Sequence, residues 1–446
     1  MVGRPPHQQF RFIDLFAGIG GFHLAMSQLG GECVFASEID PDCRAVYEAN
    51  FGLKPEGDIK PMTEGRVVQV PQHDVLCAGF PCQPFSKSGF QRGMDEARGT
   101  LFFNILRILE ARRPRYAILE NVRNIAGPRQ RRTWDIIILE LRALGYRVCG
   151  EPTVFSPHLL PPKQGGRPQV RDRVFILCEH IGSRDKAALE GAPLIARKPV
   201  SGWDPAKWRI ADCLDDDKDI EGLERYRLRP DEVRWIDAWN EFLQGIDEDP
   251  LPGFPIWADA FVDHPRITTD TPEWKANWLQ KNHGLYLRNR KFIDRWRTKN
   301  DIASFPESRR KLEWQARGHA ADLWQLAMHL RPSGIRAKPA TYLPALVAIT
   351  QTSIIGPRRR RITPREAARL QGVPDDYVLH EDDATAYKQL GNAVNVGAVM
   401  YATSRLFEAG TEQRDTSPYI QSPSNLSART AHSVARGRRR TSAGTR

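Results

Sequence analysis

Between Arg11 and Cys178 short apolar runs alternate with helical patterns: Phe12 to Phe16, Cys33 to Ile39, Asp74 to Gly79, Tyr116 to Glu120 and Arg173 to Cys178. Strands alternating with helices predict an α/β fold with a mostly parallel sheet, whose ligands bind beyond the carboxyl ends of the strands. The intervening stretches read as helices. Leu101, Ile105, Ile108 and Leu109 recur at helical spacing, and the run from Thr133 to Leu144 stops at Gly145, a helix-ending residue. Around residue 180 the texture changes: ten of the eleven tryptophans lie between Trp203 and Trp324, among prolines and interleaved charges. We expect an α/β domain over 10–180, a separate lobe over 181–356, a segment returning to the first domain over 357–409, and a disordered basic tail over 410–446. The returning segment opens on Thr363-Pro364-Arg365-Glu366, a capped helix start.

Composition narrows the function. Sixty-five Lys and Arg against fifty-four Asp and Glu leave a net charge of +11, which points to a polyanion as partner. No apolar run is long enough to span a membrane and Met1 to Gln9 lacks the apolar core of a signal peptide, so a cytoplasmic site is expected. The seven cysteines include no Cys-x-x-Cys pair, so neither a disulfide framework nor a metal is expected.

The strand ends carry the chemistry. After the first comes Asp14-Leu15-Phe16-Ala17-Gly18-Ile19-Gly20-Gly21-Phe22, where glycines let a backbone turn approach a ligand at a helix start; the third glycine of a dinucleotide fingerprint is replaced by His23. Twenty residues after Gly18, Glu38 stands where such folds hold a nucleoside ribose. The alternative is a tight turn beside an unrelated acid. Past the third strand, Cys82 lies between Pro81 and Pro84, which stiffen the loop and suit an exposed nucleophile; Cys77, inside the strand, reads as a buried thiol. Glu120 ends the fourth strand at the same edge, where a closed pocket would raise its pKa and make it an acid usable near neutral pH. Gln169, Arg171 and Arg173 alternate onto one side, either to hold an anion bidentately or as a surface ion-pair ladder.

In this order the strings closely resemble the DNA (cytosine-5)-methyltransferase family: Asp14 to Phe22, Pro81-Cys82-Gln83, Glu120-Asn121-Val122, Gln169-x-Arg171-x-Arg173, and Gly391-Asn392 after a long variable region. The resemblance implies a Rossmann-like domain binding S-adenosyl-L-methionine and a smaller target-recognition domain across a duplex DNA cleft. It carries Phe16, Gly18, Gly20 and Gly21 over as lining the methionine part of the cofactor, Glu38 as holding its ribose, and Asp58 with Ile59 as lying by its adenine. Leu101, Asn392 and Val394 complete that pocket. Cys82 is implied as the nucleophile that adds to carbon 6 of a flipped-out cytosine, Glu120 as the donor to ring nitrogen 3, Arg173 as holding the ring carbonyl and Glu120, and Arg171 as bracing the loop. It further implies a monomer in a restriction-modification or host DNA-marking system, with a cognate restriction endonuclease as functional partner.

Two basic clusters are candidates for DNA backbone contacts or simply solvated faces: Arg288, Arg290, Lys291, Arg295 and Arg297 around Trp296, and the run Arg358 to Arg361. Three rival readings stand beside the main one. A sister branch methylates transfer RNA with the same chemistry, but carries a Cys-Phe-Thr string missing here. An inactive DNA-binding relative should have lost the nucleophile or the glycine turn. A dinucleotide oxidoreductase leaves Cys82, Glu120 and Arg173 without a common task.

Overall fold

The structure, a computed structural model, describes residues 9–81, 101–346 and 352–415, with side chains through residue 411. The first block holds strands β1 (Phe10–Leu15), β2 (Gly31–Ser37), β3 (Val75–Gly79), β4 (Tyr116–Val122), β5 (Tyr146–Val148), β6 (Thr153–Phe155), β7 (Gln169–Val170) and β8 (Arg173–His180). Helices α1 (Gly21–Gln28), α2 (Pro41–Phe51), α3 (Leu101–Arg112) and α4 (Arg131–Ala143) alternate with them. The sheet order is β2-β1-β3-β4-β8-β5, with β6 also on β8. β2, β1, β3 and β4 run parallel, and β8 alone runs against its neighbours. That reversal matters for the site. Because Val122 pairs with Arg173, the start of β8 lies at the edge where β4 ends.

Strand faces and helix stripes meet in one apolar core: Ile13, Leu76, Ala117 and Ile176 pack with Ile105 and Leu109 of α3 and Ile137 and Leu141 of α4. Burying each of the larger side chains contributes about 1.5–3 kcal/mol. Local signals set the ends. Asp40 caps α2 by accepting from the Asp42 N–H at 3.0 Å, with Pro41 in its first turn and Gly52 closing it at φ 65°.

The lobe has a sheet of its own, which its sequence texture did not announce. Strands β9 (Ile256–Trp257), β10 (Lys311–Trp314), β11 (Leu326–Arg331), β12 (Gly334–Pro339), β13 (Leu343–Pro344), β14 (Ile354–Ile355) and β15 (Arg360–Arg361) follow in the chain. All but β13 join in the order β15-β14-β11-β12-β10-β9, while β13 pairs with β7. Helices α5 (Pro230–Gly245) and α6 (Glu273–Lys299) cover one face, packing Trp239, Phe242, Leu285 and Trp296 on Leu312, Met328 and Ile335. The tryptophans fill this small core and still satisfy their N–H groups: Trp239 donates to Arg309 O at 2.8 Å and Trp296 to Ala238 O at 2.7 Å.

The boundary expected at residue 181 falls early. Trp203 and Trp208 both donate to His158 O, Glu190 pairs with Arg142, and Ile210 packs with the returning helices, so this stretch lies along the first block. The lobe also extends past residue 356, since β15 closes its sheet. Helices α7 (Pro364–Gln371), α8 (Asp383–Asn392) and α9 (Val396–Asp415) follow. Leu370, Val373 and Leu390 pack with Ile19, Cys43 and Val46 of the first block. α9 runs to Asp415, past the expected start of a disordered tail at residue 410, and residues 416–446 lie outside the described ones. Among the described residues no helix is long and apolar enough to cross a membrane.

Candidate active site

The carboxyl ends of β1, β3 and β4 and the start of β8 open on a cavity of about 530 Å³, within the roughly 300–1,000 Å³ typical of small-molecule sites. Its wall begins at Phe16, held at φ 56°, a left-handed conformation that costs a non-glycine residue on the order of 1–2 kcal/mol. The turn continues through Gly18 at φ 53° and Gly20 at φ 81°. The Glu38 carboxylate fastens this turn to the end of β2, one oxygen accepting from Gly18 N–H at 2.8 Å and the other from Asp40 N–H at 2.8 Å. Each oxygen keeps a second acceptor site, which suits a pair of vicinal hydroxyls.

Eight of the ten residues expected around the cofactor line this cavity: Phe16, Gly18, Glu38, Asp58, Ile59, Leu101, Asn392 and Val394. Gly20 and Gly21 do not. A Cβ on Gly20 would stand 2.2 Å from Phe51 Cε2, and one on Gly21 would stand 2.7 Å from Val394 Cγ2 and 2.9 Å from Val394 O. Both glycines are small in a way that lets these neighbours pack closely behind the wall.

Glu120, two residues before the end of β4, has 7% of its surface exposed, and its Oε1 lies 2.9 Å from Arg173 Nε. Burial pushes the Glu120 pKa up, against the pull of Arg173 and then Arg171. Arg171 is fully enclosed, with 1% exposure, and does not line the cavity. It donates to Leu346 O at 3.1 Å, Gly391 O at 3.0 Å and Ala393 O at 2.7 Å, which fastens the returning segment carrying Asn392 and Val394. Between the two open readings of this arginine pair, the ion-pair ladder on the surface is excluded, since Arg173 meets a buried carboxylate and Arg171 three carbonyls.

Cys82 lies outside the described residues, but Pro81 before it lines the cavity. Sequence reasoning gave no role to Asn121, whose Nδ2 donates to Phe80 O at 2.9 Å and so ties the end of β4 to the loop that leads to Cys82. Its adjacency to Glu120 was the available signal. Asp14 was likewise passed over: it is completely buried, and burial raises its pKa well above the ordinary value. An acid among Phe12, Ile13 and Leu15 in a strand was the sign of it.

The arginines of the basic clusters are committed within the protein. Arg288 pairs with Glu248 at 2.8 Å, Arg290 with Asp263 at 2.7 Å, and Arg297 donates to Phe261 O. Arg360 is fully buried against Glu366 at 2.7 Å and Asp217 at 2.9 Å, Arg361 pairs with Glu232 at 2.6 Å, and Arg359 stacks over Trp324. Arg360 ties the lobe to the returning helix that carries Glu366, and the others brace the lobe itself.

A Rossmann-like sheet with a carboxylate clip after its second strand and a buried acid at the shared edge fits an enzyme that holds a nucleoside cofactor. A family model described as C-5 cytosine-specific DNA methylase matches residues 10–408. The chain is 42% identical to Type II methyltransferase M.AluI of Cellulosimicrobium cellulans, over 88% of its length and 91% of the relative's. It is 30% identical to Type II methyltransferase M.HhaI of Haemophilus parahaemolyticus, over 88% and 92%. The chain belongs to the C-5 cytosine-specific DNA methylase family. It is a DNA (cytosine-5)-methyltransferase that uses S-adenosyl-L-methionine.

Proposed function

We propose that the chain methylates carbon 5 of a cytosine flipped out of a specific duplex sequence, with Cys82 as nucleophile and Glu120 as acid. The observation that carries this reading is the buried Glu120 beside Arg173, in the wall that also holds Glu38 and Pro81. The residues present fit the cofactor: Glu38 offers acceptors to the ribose, Asp58 and Ile59 flank the adenine, and Phe16, Gly18, Leu101, Asn392 and Val394 enclose the rest. When bound, S-adenosyl-L-methionine supplies an electrophilic methyl on a sulfonium sulfur.

The chain's own groups make the cytosine reactive. The Cys82 thiolate forms a bond to carbon 6, and Glu120 donates a proton to ring nitrogen 3, so that negative charge does not build up on the ring. Arg173 holds Glu120 and the ring carbonyl. Carbon 5, now nucleophilic, takes the methyl; loss of its proton to a base then expels the thiolate. A stacked base cannot reach Cys82, so the target leaves the helix. Arg171 positions and does not react.

The lobe closed by β9 to β15 acts as the target-recognition domain. We further propose a cytoplasmic monomer that protects DNA in a restriction-modification system with a cognate endonuclease; the Type II names of its relatives support this. Incubation of the purified chain with labelled S-adenosyl-L-methionine and either duplex DNA or transfer RNA tests the reading. Label in DNA cytosine alone is expected, and label in transfer RNA alone would reject it.

A further inference from the structure

The lobe's sheet has two unlike faces. Leu312, Trp314, Met328, Leu330, Ile335 and Ala337 point to the side that α5 and α6 cover. The alternate residues of the same strands point to the other side, as period-two alternation requires. There the register sets His329 opposite Arg336, Glu313 beside Arg336 and Lys311 opposite Trp257. Four cations, Lys311, Arg331, Arg336 and Lys338, share this face with one strand carboxylate, Glu313.

Glu313 is spent on Arg336, at 2.6 Å. No ion pair joins Arg331 or Lys338 to any described residue, although both are half-buried. Burial, then Arg336 and Arg331, pull the Lys338 ammonium below its ordinary pKa. Burial, then Lys338, Arg331 and Arg336, hold His329 neutral, pulled down to about 3. Cations crowded in this way repel one another and destabilise the fold. The Arg288 to Arg297 and Arg358 to Arg361 clusters show the contrary habit, each guanidinium meeting a carboxylate, carbonyl or ring.

The face also stands near the chemistry. Five residues after Lys338, Leu343 of β13 pairs with Gln169, two residues before Arg171. That length of chain spans at most about 18 Å.

We propose that the part of this face around Arg331 and Lys338, beyond the buried Ala327 and His329, is the surface through which the lobe holds the DNA duplex, those two side chains meeting phosphate oxygens. The inference rests on the lobe being the target-recognition domain and specifies which side of it faces the substrate. Phosphates would relieve the like-charge crowding that the described residues leave standing. Arg336, already paired, orients the strand.

The test compares two double variants of the full chain by the salt dependence of duplex binding. In Arg331→Gln with Lys338→Gln, affinity near physiological salt should fall at least tenfold. The log–log salt slope should flatten by about 2, at roughly 0.9 per lost phosphate contact. Its melting temperature should hold or rise, because repulsion is relieved; a structural role would lower it. In Lys275→Gln with Lys291→Gln, both on α6, slope and affinity should match the parent. Loss in the α6 variant instead would overturn the face while leaving the lobe's DNA role intact. No change in either variant would reject the face.

Discussion

Replacing Arg171 by Met should loosen the cofactor pocket from behind. The side chain occupies a fully buried site and donates to three carbonyls, Leu346 O, Gly391 O and Ala393 O. Leaving each buried carbonyl without a donor costs about 1–3 kcal/mol, a gross loss of about 3–9 kcal/mol. Removing a buried cation relieves several kcal/mol of desolvation in return, so the net loss should reach at most about 5 kcal/mol. With an unfolding entropy of about 2.1 cal/mol/K per residue over roughly 400 folded residues, that lowers Tm by up to about 6 °C. Asn392 and Val394 ride on the segment released, so KM for S-adenosyl-L-methionine should rise about tenfold or more, while affinity for DNA falls much less. Thermal melting and initial rates across cofactor concentrations read both effects. A Tm within about 1 °C of the parent, with KM within about twofold, would refute the bracing role.

Glu38→Ala should weaken S-adenosyl-L-methionine by roughly 1.5–3 kcal/mol, the size of charge-assisted bonds to two hydroxyls, with the rate recovering at saturating cofactor; a fall in the saturated rate at unchanged affinity would misplace the ribose. Gly21→Ala puts a methyl 2.7 Å from Val394 Cγ2, so cofactor KM should rise severalfold with kcat nearly kept, and titration calorimetry showing parental affinity would count against the packing role. Glu120→Gln should slow single-turnover methylation on the order of a hundredfold with DNA binding little changed, and a rate within about twofold would remove Glu120 from the chemistry. The raised pKa of Glu120 keeps its proton to higher pH than an ordinary glutamate, so the stability linked to it is full below the unfolded value and is lost as pH rises through the folded one. Urea titrations across that range should therefore show the parent losing stability relative to Glu120→Gln.

What could be read from the chain alone follows from range. Phe16, Glu38 and Glu120 were legible because each stands at the end of an apolar run, where a parallel sheet exposes its ligand edge, and the cavity gathers all three. The lobe was not. Strands such as β9, β14 and β15 are two residues long and exist only through partners far away in sequence, so no local period announces them. Gly20 and Gly21 were assigned to the cofactor because they stand in the glycine turn, but a glycine does not say whether a ligand or Phe51 and Val394 crowd it. Arg360 shows the same limit for charge. One partner, Glu366, stands six residues on but reads only as part of a helix cap, and the other, Asp217, lies 143 residues away, so the nearby sequence does not distinguish a buried ion pair from a phosphate contact.

The central claim is covalent catalysis by Cys82, and the most direct measurement is trapping on duplex DNA that carries 5-fluorocytosine at the target position, in the presence of S-adenosyl-L-methionine. Because fluorine cannot leave as a cation, the reaction should halt after the methyl has reached carbon 5, before the thiolate is expelled, with the sulfur–carbon 6 bond intact, giving a denaturant-stable complex of protein and DNA in one-to-one ratio. Peptide mapping should place the link at Cys82, and Cys82→Ala should give no complex and no methylation while still binding cofactor. A complex mapped to another residue, or full methylation by Cys82→Ala, would contradict the mechanism.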